Sequence, residues 1–98
     1  MGEAGEALVL QRYEVLLEKK ALKALDALDS IAKRRIFDAL YMLRDYGFTP
    51  RLDIKKLLGY ESHYRLRVGD YRVLFELEKP RTIKVYAMLH RRKAYQRR

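Results

Sequence analysis

Residues 63–78 read HYRLRVGDYRVLFELE, two runs of alternating side chains on either side of Gly69 and Asp70. Alternation with a period of two is typical of a β-strand with one buried face, and Gly-Asp is typical of a two-residue hairpin turn. A turn of that length fixes which residues lie opposite each other. The pairs on one face are all apolar or aromatic: Val68 with Tyr71, Leu66 with Val73, and Tyr64 with Phe75. We therefore predict that this face carries the core.

The other face of the same hairpin carries an excess of arginine. Its pairs are Arg67 with Arg72, Arg65 with Leu74, and His63 with Glu76. Like charges directly opposite each other destabilise a hairpin by roughly 0.2–1 kcal/mol, so loss of Arg72 should relax it. An arginine triplet favours a bound anion, and phosphate fits best because guanidinium groups bind its oxygens in pairs. The alternative is that the arginine stems lie along the sheet while Asp70 and Glu76 balance their charge.

Before the hairpin, the sequence predicts one strand and two helices. Residues 12–18 alternate, with three apolar or aromatic side chains on one side: Tyr13, Val15 and Leu17. From Lys19 the apolar residues recur at helical spacing: Ala21, Leu22, Leu25 and Leu28. A second apolar stripe begins after an N-cap at Asp29 or Ser30 and ends before Gly47: Ala32, Ile36, Leu40 and Leu43. The short link between the two helices predicts an antiparallel helix hairpin.

Two further strands are predicted at residues 55–58 and 82–89. Uninterrupted alternation in the latter directs four residues to the core: Ile83, Val85, Ala87 and Leu89. It places four others beside the arginines: Lys84, Tyr86, Met88 and His90. The predicted fold class is α+β, with the N-terminal strand and the helix hairpin packed on one face of a small antiparallel β-sheet. Residues 1–11 are expected to form an N-terminal extension and residues 12–98 a single domain.

The charge of the chain indicates a polyanionic partner. It has 22 Lys and Arg against 13 Asp and Glu, for a formal net charge of +9. Residues 63–98 hold eleven of the basic residues and three of the acidic ones. RNA, DNA or an anionic membrane surface could bind such a region. The chain has no cysteine, no apolar run of membrane-spanning length and no basic N-terminal signal, so a cytoplasmic protein without thiolate metal sites is expected.

Residues 55–78, KKLLGYESHYRLRVGDYRVLFELE, and residues 89–95, LHRRKAY, resemble two signatures of the RelE/ParE superfamily of type II toxins. The resemblance runs from about Tyr13 to Tyr95. It implies a RelE-like mRNA interferase, a toxin that inhibits translation by cutting messenger RNA at the ribosomal decoding site. In that chemistry the 2′-hydroxyl of the message attacks the adjacent phosphate, without a metal or a cofactor. The implied partners are the ribosome, its mRNA and a cognate antitoxin in a hetero-oligomer, with no membrane.

The resemblance also implies roles for particular residues. The predicted catalytic set is Arg65, Arg67, Arg72, His90, Arg91 and Tyr95. Members of the family carry lysine at one or both positions that match Arg65 and Arg67, and arginine cannot replace a lysine that acts as a base. His90 and Tyr95 are therefore the alternative proton acceptors, although His90 could equally be a surface histidine that ends a strand. Predicted RNA-binding residues are Lys55, Lys56, Lys84, Tyr86, Arg92, Lys93, Arg97 and Arg98.

Two other functions remain open from the sequence. A ParE-like inhibitor of DNA gyrase would share the fold, but such proteins usually lack the full arginine set and the C-terminal tyrosine. A basic RNA-binding or ribosome-binding module without catalytic activity would share the charge.

Overall fold

The computed structural model describes residues 12–94, with the backbone alone for Lys93 and Ala94. Its elements in chain order are β1 (Glu14–Leu17), α1 (Lys19–Asp26), α2 (Ser30–Tyr46), β2 (Asp53–Lys56), β3 (His63–Val68), β4 (Tyr71–Glu78), β5 (Thr82–His90) and a short α3 (Arg91–Ala94). This order confirms the predicted α+β class. The predicted extension at residues 1–11 lies outside the described residues.

The strands form one five-stranded sheet in the order β1-β5-β4-β3-β2. Neighbouring strands run antiparallel except β1, which pairs in parallel with β5 at one edge. Strand β2 begins two residues earlier than the sequence predicted. Ile54 is the reason, because it lies opposite Leu66 and packs against the core, whereas Leu58 of the predicted strand is exposed. None of the helices within residues 12–94 is long and apolar enough to cross a bilayer.

The core lies between the two helices and one face of the sheet. The register of β3 and β4 is the predicted one, and Leu66, Val73 and Phe75 are fully buried. The helices contribute four fully buried side chains: Ala21, Leu25, Ile36 and Leu43. Leu22, which the sequence placed in the core, is instead 46% exposed. Ala21 and Leu25, one turn apart, already fill the inward side of α1, so Leu22 lies at its margin.

A β-bulge interrupts the alternation of β5. Phe75 lies opposite Val85 and Leu74 lies opposite Ala87, so Tyr86 is an extra residue between them. Beyond the bulge the two faces exchange. Met88 is buried in the core opposite Val73, and His90 lies opposite Tyr71 on the helix side. The predictions that Ala87 and Leu89 face the core, and that Met88 and His90 share a face with the arginines, are therefore wrong.

Helix α2 begins and ends as the sequence predicts. The Asp29 side chain accepts a hydrogen bond of 2.9 Å from the Ala32 N–H, and the helix ends at Gly47. Gly47 has φ 73° and ψ −145°, a conformation that is essentially limited to glycine. A Cβ added there would also lie 2.8 Å from the Tyr13 ring.

We expect Gly47→Ala to lower the free energy of unfolding by about 1–3 kcal/mol from backbone strain alone, and further because of the contact with Tyr13. Gly59→Ala is the matched control, because Gly59 also has a positive φ of 83° but no atom lies within 4 Å of its added Cβ. Urea denaturation of both variants measures the difference. Equal losses would contradict the close approach of Tyr13 to the end of α2.

Candidate nucleic-acid interface

The face of the sheet opposite the helices is called the open face. Arg65 and Arg67 of β3 and Arg72 of β4 share it, since their cross-strand partners put them on the side away from the core. The Arg67 side chain is 54% exposed, whereas Arg72 is 5% exposed. The predicted triplet is thus one exposed, one partly buried and one buried guanidinium at neighbouring positions of one hairpin.

Asp53, which the sequence analysis missed, lies beside two of these arginines. Arg65 Nη2 donates a hydrogen bond of 2.9 Å to Asp53 Oδ1, and Arg67 Nη1 lies 3.8 Å from Asp53 Oδ2. The predicted β2 began at residue 55, so Asp53 fell outside the sheet, although in the structure it lies directly opposite Arg67. One carboxylate therefore balances part of the charge of two arginines. Glu76 and Asp70, the compensating acids considered from the sequence, contact His63 and Arg91 instead.

Arg72 supports the hairpin turn. Its Nη1 donates hydrogen bonds of 3.2 Å to the carbonyl oxygens of Gly69 and Tyr71. The guanidinium is folded back on the turn beneath the surface that Arg67 exposes. The expectation that loss of Arg72 would relax the hairpin is replaced by the opposite one, because the turn carbonyls would lose their donor.

Arg91 lies at the same end of the hairpin. Its backbone N–H donates a hydrogen bond of 2.6 Å to the Asp70 carbonyl oxygen, and its Nη1 lies 3.7 Å from Asp70 Oδ1. The side chain is largely exposed. The structure therefore brings Arg67, Arg72 and Arg91 to the turn end of the hairpin, with Arg65 two residues away along β3.

His90 is separated from these arginines by the sheet. Its ring contacts the Tyr71 ring edge-on, with 5.3 Å between centroids, and lines a cleft of about 400 Å³ with Arg35 and the start of α2. The backbone N–H of Arg92 donates a hydrogen bond of 3.2 Å to His90 Nδ1. A neutral His90 in this position carries its proton on Nε2, and its one acceptor nitrogen is already occupied. The predicted catalytic role of His90 stays a prediction, which this geometry does not favour.

The predicted RNA-binding residues do not share one surface. Lys55 lies opposite Arg65 and so faces the open side, whereas Lys56 lies opposite Tyr64 and faces the other. Lys84 is on the open face, but its Nζ is 2.8 Å from Glu78 and 3.8 Å from Glu18. The hydrogen bond with Glu78 raises the pKa of Lys84. Arg92 is exposed at the start of α3.

Four of the predicted site residues lie beyond what the structure describes: Tyr95, Arg97, Arg98 and the side chain of Lys93. Within residues 12–94, no three His, Asp or Glu side chains come together in a group that could hold a metal ion.

We expect Arg72→Ala to lower the free energy of unfolding by about 1–3 kcal/mol, because two turn carbonyls lose their donor and a packed side chain is removed. Arg67→Ala is the matched control. Its ion pair with Asp53 is exposed, so its loss should change the stability by less than about 1 kcal/mol. Chemical denaturation of the two variants under identical conditions gives the comparison, and equal stability of the two would contradict a supporting role for Arg72.

Comparison with known proteins places this chain and its fold in a family. Residues 15–95 match the family model described as ParE toxin of the type II toxin-antitoxin system, parDE. The chain is 47% identical over 45 residues to Toxin RelE3 of Methanocaldococcus jannaschii, a match that covers 46% of this chain and about half (50%) of that toxin.

Two of the solved structures similar over most of the chain are archaeal. The RelE–RelB complex from Pyrococcus horikoshii OT3 contains a chain that is 34% identical, with a TM-score of 0.70 over 82% of this chain and 96% of that one. The RelB–RelE complex from Methanococcus jannaschii gives 32% identity and a TM-score of 0.72 over 82% and 94%. The chain therefore belongs to the RelE/ParE superfamily of type II toxins.

Proposed function

We propose that this chain is a RelE-like toxin that acts as an endoribonuclease on ribosome-bound messenger RNA. The observation that carries the proposal is that Arg67, Arg72 and Arg91 all lie at the turn end of the hairpin, with Arg65 two residues away along β3. Guanidinium groups fixed in this way suit the charge that develops on a phosphate during cleavage. The RelE names of the relatives support the same reading, as does the formal net charge of +9.

In the proposed reaction the 2′-oxygen of one nucleotide attacks the adjacent phosphorus, and its proton passes to a base. The bond from phosphorus to the 5′-oxygen breaks, and that oxygen takes up a proton. The products are a 2′,3′-cyclic phosphate and a 5′-hydroxyl. Arg65, Arg67 and Arg91 would stabilise the pentacoordinate phosphorus, while the buried Arg72 would position the turn that carries them.

The base in this reaction cannot be Arg65 or Arg67, since arginine stays protonated. Of the two remaining candidates, His90 lies on the helix side of the sheet with Nδ1 already accepting a hydrogen bond. We therefore propose Tyr95 as the proton acceptor. A tyrosine needs a lowered pKa for this role, and neighbouring cations would lower it.

We expect Arg67→Ala and Arg91→Ala each to reduce cleavage of messenger RNA on programmed ribosomes by about 10²-fold or more, because each removes a donor to the transition state. Arg34→Ala is the control with the same change of charge, on the exposed side of α2. A message with a 2′-deoxynucleotide at the cleaved position should resist the wild-type protein. Cleavage of that message, or full activity of Arg67→Ala, would refute the mechanism.

The match to a family model named for ParE makes inhibition of DNA gyrase the second candidate function. A supercoiling assay with purified gyrase separates the two. Inhibition of supercoiling without cleavage of ribosome-bound message would replace the ribonuclease proposal. Binding to ribosomes with neither activity would indicate the non-catalytic module.

A toxin of this kind requires a partner that silences it in the cytoplasm, and the similar RelB–RelE structure from Methanococcus jannaschii is an antitoxin–toxin complex. We propose an antitoxin segment that covers exposed apolar surface, such as Ile31 and Tyr41 on α2. It would bring carboxylates near Arg65, Arg67 and Arg91, or displace the C-terminal residues, and so form a hetero-oligomer.

We expect coexpression with the adjacent gene to give a stable complex on size-exclusion chromatography that no longer cleaves ribosome-bound message. The free chain, prepared from the same complex by denaturation and refolding, should regain cleavage. A harmless monomer that never copurifies with a neighbouring gene product would contradict the antitoxin proposal.

A further inference from the structure

A row of three aromatic rings lies at the end of the open face remote from the Gly69–Asp70 turn. The Tyr60 ring is 5.6 Å from the His63 ring, and the His63 ring is 5.4 Å from the Tyr86 ring. Tyr60 belongs to the loop between β2 and β3, His63 begins β3, and Tyr86 is the extra residue of the bulge in β5. Three separate segments thus contribute one ring each to the same place.

The inner two rings are held firmly. His63 Nδ1 and Tyr86 Oη are 2.9 Å apart, and His63 Nε2 lies 3.8 Å from Glu76 Oε2. Burial raises the pKa of Tyr86, so its hydroxyl stays protonated at neutral pH and can donate to His63. Tyr60, the outer ring, is 63% exposed although it contacts the ring of His63. An exposed ring on a rigid support is ready to stack with little loss of conformational entropy.

The aromatic row continues into the arginines along a single strand. His63, Arg65 and Arg67 are alternate residues of β3 and share the open face, so His63 lies about 13 Å from Arg67 at the usual rise per residue. Single-stranded RNA is bound by surfaces that combine cations for the phosphates with rings for the bases. Along β3, the open face offers aromatic rings at one end and cations at the other.

The charges at the aromatic end indicate bases rather than phosphates. Glu76 contacts His63, and Glu78 and Glu18 surround Lys84. These carboxylates would repel a phosphate group, but they do not oppose the stacking of a neutral base on an exposed ring. The phosphate backbone of an RNA strand therefore fits the arginine end of the open face, and an unpaired base fits the end at Tyr60.

We propose that Tyr60, supported by His63 and Tyr86, stacks on an unpaired base of the RNA strand whose phosphates contact Arg65 and Arg67. The proposal rests on the proposed function, because it deepens the interaction of the same face with its RNA substrate. It assigns to the loop before β3 a part in holding the message for cleavage.

The chain has no tryptophan, so a Tyr60→Trp variant carries a single indole fluorophore. Titration with a short 2′-O-methyl RNA oligonucleotide, which cannot be cleaved by 2′-hydroxyl attack, should quench its fluorescence through base stacking. Inorganic polyphosphate supplies the charge without bases and should leave the fluorescence nearly unchanged. Tyr46→Trp is the matched control, since Tyr46 is equally exposed (61%) but ends α2, away from the row. The proposal would be overturned if the oligonucleotide quenched both variants equally, or if polyphosphate quenched Tyr60→Trp as strongly as the oligonucleotide does.

Affinity gives a second measurement. Tyr60→Ala should weaken binding of a labelled oligonucleotide about 5- to 150-fold, the range that stacking of one base provides, while Tyr60→Phe should bind like the wild type. Polyphosphate affinity should not change. If the wild type cleaves ribosome-bound message but Tyr60→Ala binds the oligonucleotide normally, the stacking proposal fails and the ribonuclease proposal stands. If stacking is measured but the wild type does not cleave ribosome-bound message, the ribonuclease proposal fails and the stacking proposal stands. If Tyr60→Ala impairs copurification with the antitoxin while oligonucleotide binding is normal, the loop is a protein contact and stacking is refuted.

Discussion

The two-residue turn at Gly69 and Asp70 determines the positions of both the core and the arginines. Gly69 has φ 58°, a conformation that favours glycine, and an added Cβ would lie 3.0 Å from Arg35 Nη1, so that guanidinium would have to shift. Because strand residues alternate between faces, a register slip of one residue would carry Arg65 and Arg67 into the core. Two residues of the candidate site stabilise this hairpin turn. The Arg72 guanidinium donates a hydrogen bond to the Gly69 carbonyl, and the Arg91 N–H donates one to the Asp70 carbonyl. Stability of the hairpin and construction of the cationic site therefore depend on the same few atoms.

Placing arginines opposite each other raises an electrostatic cost that this sheet reduces in two ways. Arg72 is withdrawn beneath the surface and hydrogen-bonded to the turn, and Arg67 and Arg65 share the carboxylate of Asp53 from the neighbouring strand. An incoming phosphate would have to compete with that carboxylate. In return, Asp53 holds the Arg65 guanidinium in one orientation before any ligand arrives, which reduces the ordering that binding requires.

The parts of this structure that follow from local chemistry were predictable from the sequence. The register of β3 and β4, the Asp29 cap and the end of α2 at Gly47 depend on turn and capping residues, which sequence displays directly. The start of β2 was predicted two residues too late, so Asp53 was left outside the sheet. The reason is that Leu57 and Leu58 extend the apolar pattern into a segment that forms a loop. The bulge at Tyr86 left no mark in the sequence, since an alternating strand looks the same with or without one extra residue. The faces of the side chains were therefore predicted correctly on β3 and β4 and incorrectly at the end of β5.

That single extra residue affects the candidate chemistry in two places. It turns His90 to the helix side, away from the arginines, and so weakens its case as a base. It also places Ala87 on the open face beside Tyr86, whose hydroxyl lies 2.9 Å from His63 Nδ1. In an unbroken ladder His90 would join the arginines and Ala87 would face the core, since two consecutive residues could not both lie on the open face. Bulges are frequent beside functional sites because they redirect side chains without disturbing the rest of the sheet. The bulge thus leaves the arginines of the regular hairpin in place and removes His90 from their face.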